Sequence, residues 1–515
     1  MKGKRVLAIM LIGVMAGSLC SCNSGEKAGT QKESETVTIF GGVPSRVSEP
    51  TTGLEKSDEE WYKLIEKKNG VKIMVDAPAA SNLNERLQIM LSSGDYPDVI
   101  LFQNHTDNVV KSAVESGIVI PITQYVNNAK NLQENIHENS WKCMKIMNND
   151  EIYGIPRSTC VRADGYVVRK DWLDKVGLSI PENGEVTIDE FTEILKRFTE
   201  NDPDGNGKND TYGLAHSLNS DSEFLPAVSW PFDILGWQKH DGQYDYMDEE
   251  YCLEHDNYIN CLEYNQMLYK NKYIDPDAPG IKSFGERFNQ GITGVMPAFA
   301  ASVATTQAAL KKVNPDAELT FITGIKNADG EAKGTLYSTG YFWFYAITKA
   351  AKDPEKIVNM FNSMFDDDAY ETAIYGVEGI NYTKNENGKY DQMYNDDGTP
   401  VGVSAGRAFM RKAFDTEFFL QSKMNNESSP SYETMNKWLL QTMDNHVTSL
   451  DLGYKPEAAK EQKYMDYQKQ MAQVQAKILV GEMDASEYKK ALNTWYDTLG
   501  REYVEQMNEY IKSTN

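Results

Sequence analysis

An α/β chain of two domains with a helical C-terminal third is what the sequence predicts, on three observations. The chain has 515 residues, enough for two domains that each bury a core. Strand-like and helix-like segments alternate from Val37 onward, as in βα units on a largely parallel sheet. Beyond Ser431, apolar positions recur at three and four, the helical period.

Taken in order, Val37-Thr-Ile-Phe alternates like a strand and ends in Gly41-Gly42. Asp58–Lys68 reads as a helix, with Trp61, Leu64 and Ile65 on one face and Asn69-Gly70 as its stop. Val71-Lys-Ile-Met-Val is a strand and Leu83–Leu91 a helix. Asp98-Val-Ile-Leu-Phe is a buried strand, and Thr106–Glu115 a further helix. A second alternating block follows Tyr153-Gly-Ile-Pro-Arg157: strand Tyr166–Arg169, helix Asp171–Gly177 and amphipathic helix Ile188–Thr199. Three long helices close the chain over Ser431–Asn445, Glu457–Val480 and Ser486–Ile511, with Gly481 as a stop. No internal repeat is visible.

Composition narrows the function. The chain carries 76 acidic and 52 basic residues, a net charge of -24, which argues against nucleic acid or an anionic lipid surface as partner. Hydrophobic residues make up 40% and charged residues 25%, as in ordinary soluble globular proteins. At the N-terminus, Lys2, Lys4 and Arg5 precede an apolar run from Val6 to Ala16, a secretory signal pattern too short to span a bilayer. Leu19-Cys20-Ser21-Cys22 then resembles a bacterial lipobox cut before Cys22, whose lipid would hold the chain on the outer face of a membrane. Residues 22–36 read as a flexible tether, being small, polar and without periodicity. Cys143, Cys160, Cys252 and Cys261 are too few for a disulfide scaffold, though Cys252 and Cys261 are close enough in sequence to pair. No Cys-x-x-Cys or His-x-x-x-His spacing occurs, so no structural zinc site is expected.

The sharpest local motif is Asp202-Pro-Asp-Gly-Asn-Gly-Lys-Asn-Asp210. Oxygen side chains at Asp202, Asp204 and Asn206, then Gly207, the Lys208 carbonyl and Asp210, match the first nine positions of an EF-hand calcium loop. Ca²⁺ takes six to eight hard oxygens, and alternate side chains of a tight loop converge on one point. The motif departs at position 12, where Gly213 replaces the bidentate glutamate, and the following Tyr212-Gly-Leu-Ala reads as a strand. A structural Ca²⁺ is therefore expected in an EF-like loop within another fold. The competing reading is a solvated acidic turn, since Asp, Asn, Gly and Pro also form turns.

Catalytic constellations are poor: the six histidines lie in no recognisable nucleophile or metal setting, and no Gly-x-Ser-x-Gly elbow is present. Aromatic clusters at Trp230, Trp237 and Tyr341-Phe-Trp-Phe-Tyr345 offer faces on which sugar rings stack, although Tyr341–Tyr345 also reads as a buried strand.

Several stretches together resemble the family 1 extracellular solute-binding lipoproteins of ABC importers. Ser93-Gly-Asp-Tyr-Pro-Asp-Val, Tyr153-Gly-Ile-Pro, Val168-Arg-Lys-Asp-Trp-Leu-Asp-Lys-Val-Gly-Leu and Gly291-Ile-Thr-Gly-Val-Met296 occur in the family's order. Tyr375-Gly-Val-Glu-Gly-Ile-Asn-Tyr382 and Lys477-Ile-Leu-Val-Gly-Glu resemble its long subgroup, which includes alginate-oligosaccharide-binding proteins. The resemblance implies a type 2 periplasmic-binding-protein fold, no enzymatic activity, and hinge closure on a sugar read by permease subunits. It places lobe one over 37–157 and 317–372 and lobe two over 158–316 and 373–515, after a signal peptide over 1–21. Long members carry a calcium loop whose last Asp is often followed by an acid; here Thr211 follows, leaving the ligand count open. Candidate ligand contacts are Arg46, Gln103, Asn104, Arg157, Trp230, Trp237, Tyr341, Trp343, Glu378 and Asn381. Arg157 and Arg169 equally suit structural ion pairs, the favoured reading for Arg169. The expected protein is a monomer with an oligosaccharide ligand, anchored on the extracellular face of the cell membrane. A lipid-anchored glycosidase or esterase, and a peptide-binding or adhesion lipoprotein, are the alternatives.

Overall fold

A computed structural model describes residues 35–42, 49–79, 82–147, 149–159, 164–217, 227–281, 283–336, 339–425 and 429–514. The signal segment, Cys22, nearly all of the tether, Arg46 and Cys160 lie outside the described residues. The first strand begins at Glu35, two residues earlier than its alternation indicates, because pairing with Val71–Asp76 extends to Glu35.

Two sheets organise the chain. The first has the order Val71–Asp76, Glu35–Phe40, Val99–Phe102, Tyr341–Ile347, Ile155–Ser158. Its first three strands are parallel, and Tyr341–Ile347 runs antiparallel to both neighbours. The second has the order Leu319–Ile322, Asp164–Arg169, Thr293–Phe299, Tyr212–Leu214. Helices cover the sheets and bury their apolar stripes, as the alternating pattern requires. This two-sheet α/β architecture is the type 2 periplasmic-binding-protein fold.

Local chemistry sets the helix boundaries. Helix Gly53–Asn69 starts five residues before the predicted start at Asp58, because Thr52 and Glu55 form a reciprocal capping box. Thr187 and Glu190 do the same for helix Ile188–Glu200. The predicted final helix is two, Ser486–Trp495 and Arg501–Thr514, joined by a wide π turn over Tyr496–Gly500. Apolar spacing continues through that turn, so periodicity alone does not reveal it. None of the described helices is long and apolar enough to cross a membrane.

The chain passes between the sheets where strand Ile155–Ser158 leads to Asp164–Arg169, and returns at Tyr341. The Thr159 amide donates to the Gly340 carbonyl at 2.9 Å, tying the two passages together. A third link lies beside them: His446–Thr448 pairs with Gly334–Leu336, and four residues further on Leu452 enters the first core. Two segments sit differently from the lobe ranges drawn from the sequence. Leu319–Ile322 pairs with Asp164–Arg169 in the second sheet, so the return to the first sheet comes only at Tyr341. Conversely Tyr375, Tyr382, Tyr390 and Phe409 pack in the core of the first sheet. Both pairings are long-range in sequence and carry no local signal. The C-terminal helices build a separate aromatic core with Trp237, Tyr251 and Tyr258.

Candidate functional site: an aromatic, acidic cavity beside the crossing segments

The candidate contacts divide into three groups. Gln103, Asn104, Arg157, Tyr341 and Trp343 gather at the end of the first sheet that adjoins the crossings. Strand pairing sets Trp343 opposite Arg157, and the Arg157 guanidinium lies 4.7 Å from the Trp343 ring centroid. Arg157 is 6% exposed and its Nε donates to the Arg407 carbonyl at 3.1 Å, so its head also anchors a neighbouring loop. The Tyr341 hydroxyl accepts from the His105 amide at 3.0 Å and lies 2.7 Å from His105 Nδ1. Asn104 Oδ1 accepts from the Thr106 amide and hydroxyl, shaping the loop, while Gln103 is exposed.

Trp230 and Trp237 form the second group, in a cavity of about 650 Å³ on the second-sheet side of the crossings. Trp230 sits in the 3₁₀ turn Trp230–Phe232, half-buried, with His446 edge-on at 5.2 Å. Trp237 is 4% exposed, stacks on Tyr251 and donates its amide to Ser449 Oγ at 2.9 Å. Around them stand Tyr166, Tyr251, Tyr258 and Tyr503. Sequence reasoning missed these tyrosines and the cavity's four carboxylates, Asp164, Asp248, Glu250 and Asp451. They converge from segments up to hundreds of residues apart, and only folding reveals them together. The described lining contains no lysine or arginine. Burial pushes the His216 imidazole down to about 4, so it is neutral at physiological pH. Burial also pushes the Asp248 carboxyl up to about 6, with the charges of Asp451 and Glu249 adding to the effect. Its Oδ1 accepts from the Glu250 amide at 3.1 Å.

Glu378 and Asn381 make up the third group, and line none of the described cavities. Glu378 is exposed and paired with Lys384 at 3.2 Å. Asn381 is 1% exposed with every polar atom engaged internally. Its Oδ1 accepts from Ser57 Oγ and the Val377 amide, and its Nδ2 donates to the Val401 and Gly402 carbonyls. The Tyr375–Tyr382 motif is thus a stitched turn, with Gly376 at φ 83° against Asn381. Arg169, for its part, is bound to Asp171 at 2.6 Å.

The loop 202–210 joins helix Ile188–Glu200 to strand Tyr212–Leu214, as the sequence indicates. Its side chains are hydrogen-bonded to one another and to the loop backbone. Asn206 Nδ2 donates to Asp204 Oδ2 at 2.8 Å and to Asp210 Oδ1 at 3.0 Å. The Gly207 amide donates to Asp202 Oδ2, and the Lys208 amide to Asn206 Oδ1. Burial and the charges of its neighbours Asp202 and Asp210 raise the Asp204 carboxyl, a crowding that a cation would relieve. Gly213 explains the missing glutamate: a Cβ there would meet the Leu195 backbone at 2.7 Å. Thr211 is turned inward onto the Phe198 carbonyl and is no substitute ligand.

Cys252 and Cys261 are both free thiols and do not pair. The Cys261 Sγ instead reaches the Val228 carbonyl at 3.3 Å.

Two α/β lobes joined by crossing segments, with an aromatic cavity against the joint, define a two-lobed ligand-binding protein. The chain belongs to the bacterial extracellular solute-binding protein family, whose model matches residues 52–371. Among curated relatives, it is 23% identical to the polygalacturonan/rhamnogalacturonan-binding protein YtcQ of Bacillus subtilis, over 99% of this chain and 98% of that protein. It is 24% identical to lipoprotein LipO of the same organism, over 99% of both chains. Among solved structures, the alginate-binding protein AlgQ2 without calcium ion superposes with a TM-score of 0.59 at 18% identity, covering 94% of this chain and 99% of that one.

Proposed function

We propose that the chain is the lipid-anchored substrate-binding component of an ABC importer, capturing an oligosaccharide between its lobes and passing it to membrane permease subunits. The reading rests chiefly on the cavity that holds Trp230 and Trp237 beside the crossing segments. Flat aromatic faces pack on sugar rings, and carboxylates accept hydroxyl hydrogen bonds that are about twice as strong as neutral ones. Both YtcQ and AlgQ2 are named for polysaccharides. Lobe closure would follow from contacts made in the closed state alone. The chain acts by binding and release, with no catalytic step.

The lining charge narrows the sugar. Four carboxylates and no described cation would repel a uronate and accept a neutral or amino sugar. That separates this chain's ligand from the acidic polymers named for its relatives. LipO's name supports lipidation of Cys22, which would keep the protein beside its permease at high local concentration. For calcium, Asp202, Asp204, Asn206 and Asp210 side chains with the Lys208 carbonyl would hold the ion, which would pin the turn between helix and strand. The fit lies in Asn206, whose amide bridges two carboxylates where a cation would sit.

A thermal-shift screen of purified protein against neutral, amino and acidic oligosaccharides and against peptides tests the reading. Stabilisation by neutral or amino sugars is expected. Stabilisation by peptides alone would overturn the sugar, and stabilisation by oligogalacturonate alone would overturn the charge argument.

A further inference from the structure

We propose a second metal site, separate from the 202–210 loop, in which His240, Glu249, Cys252 and His255 take a zinc-class divalent ion. One ligand atom from each of the four lies within 4.8 Å of those of the other three. The His240 and His255 rings are 4.9 Å apart. Cys252 is a buried free thiol between them in sequence. Glu249 Oε1 accepts from His255 Nδ1 at 2.9 Å, and its Oε2 is buried with no hydrogen-bond partner among the described residues.

The donor set selects the metal. Two imidazoles, one thiolate and one carboxylate are borderline-soft and tetrahedral in habit, which suits Zn²⁺, and Ca²⁺ and Mg²⁺ want oxygen alone. Thiolate and carboxylate together cancel the divalent charge. Bonds of 2.0–2.3 Å put tetrahedral ligand atoms about 3.4 Å apart, so the side chains have to draw in by about an ångström. His255 is exposed, which leaves an entry path. Binding forms a sulfur–metal bond and releases the Cys252 thiol proton to water. Glu254 supplies the outer support: its Oε2 lies 2.9 Å from His240 Nε2 and its Oε1 accepts from the Gln243 amide at 3.1 Å.

The spacing explains why the sequence hides the site. Cys252-x-x-His255 pairs unlike ligands, and His240 arrives from a hairpin in which Gln238–Lys239 pairs with Tyr246–Met247. The ion would tie that hairpin to the 3₁₀ turn Glu249–Tyr251. Trp237 and Tyr251, which line the sugar cavity, lie at the two ends of this tie.

Chelator-stripped protein titrated with Co²⁺ as optical probe tests the site without any sugar. One equivalent is expected to give intense tetrahedral bands with a thiolate-to-cobalt charge-transfer band, both abolished by Zn²⁺. Cys252→Ser should remove the charge-transfer band, Glu254→Gln should weaken metal binding about tenfold, and Asp202→Asn in the other loop should change neither. His255→Gln, at an exposed position, checks the geometry in a variant that keeps its fold. Weak octahedral spectra from folded wild type, or a charge-transfer band that survives Cys252→Ser, would overturn the assignment.

Discussion

Asp248 is held in the cavity at a cost to folding, and replacing it should stabilise the protein. Its carboxyl is pushed from an ordinary 3.8 up to about 6, first by burial and then by the charges of Asp451 and Glu249. A raised carboxyl means that the folded chain holds the proton more tightly than the unfolded chain. Stability is therefore full below the ordinary value and is lost as pH rises through about 6. At about 1.4 kcal/mol per pKa unit, the rise from 3.8 to about 6 costs about 3 kcal/mol at neutral pH. Asp248→Asn keeps the Oδ1 acceptor for the Glu250 amide and cannot ionise. Urea unfolding of both proteins across the acid-to-neutral range should show similar stability near about pH 4 and a gap opening to about 3 kcal/mol by about pH 7.5. The variant should also bind sugar several-fold more weakly, because a charge-assisted hydrogen bond is lost. A gap independent of pH, or a variant less stable at neutral pH, would refute the reasoning.

Other substitutions separate binding from architecture. Asn381→Ala should cost roughly 3 kcal/mol in chemical unfolding, since it strands several buried partners, and leave sugar affinity within about twofold in calorimetry. Gly213→Ala should destabilise by about 2 kcal/mol or more, read as a lower melting temperature, because its Cβ would enter the Leu195 backbone. Adding Ca²⁺ to chelator-stripped protein should raise the melting temperature of wild type and have no effect in Asp202→Asn. An unchanged wild type with no calcium by elemental analysis would remove the ion from the loop.

The fold was legible where apolar periodicity is strong. The strands at Val37, Val71 and Val99 and the helix from Ile188 lie where alternation and the 3.6 period place them. Boundaries shifted where side chains cap a helix, as at Thr52, or where a π turn leaves the apolar spacing intact, as at Tyr496. Of the proposed sugar cavity, only the large aromatics were legible. Trp230 and Trp237 stand out in the sequence, whereas Asp451 and Tyr503 reach the cavity from distant segments, a placement set by tertiary packing. Asn381 shows the reverse. A polar residue in a suggestive motif looks like a ligand contact, and its burial beside Ser57, Val401 and Gly402 becomes apparent only in three dimensions.

Trp230 offers the most direct test of sugar capture, because it is half-buried at the cavity wall and is not in the aromatic core, where Trp237→Ala would itself cost about 3–5 kcal/mol. Calorimetric titration of wild type and Trp230→Ala with the neutral oligosaccharide that stabilises best is the decisive measurement. The expected result is saturable one-to-one binding by wild type, weakened about tenfold or more in a variant that melts at nearly the same temperature. Equal affinity in the two proteins, or no binding of any oligosaccharide by wild type, would contradict it.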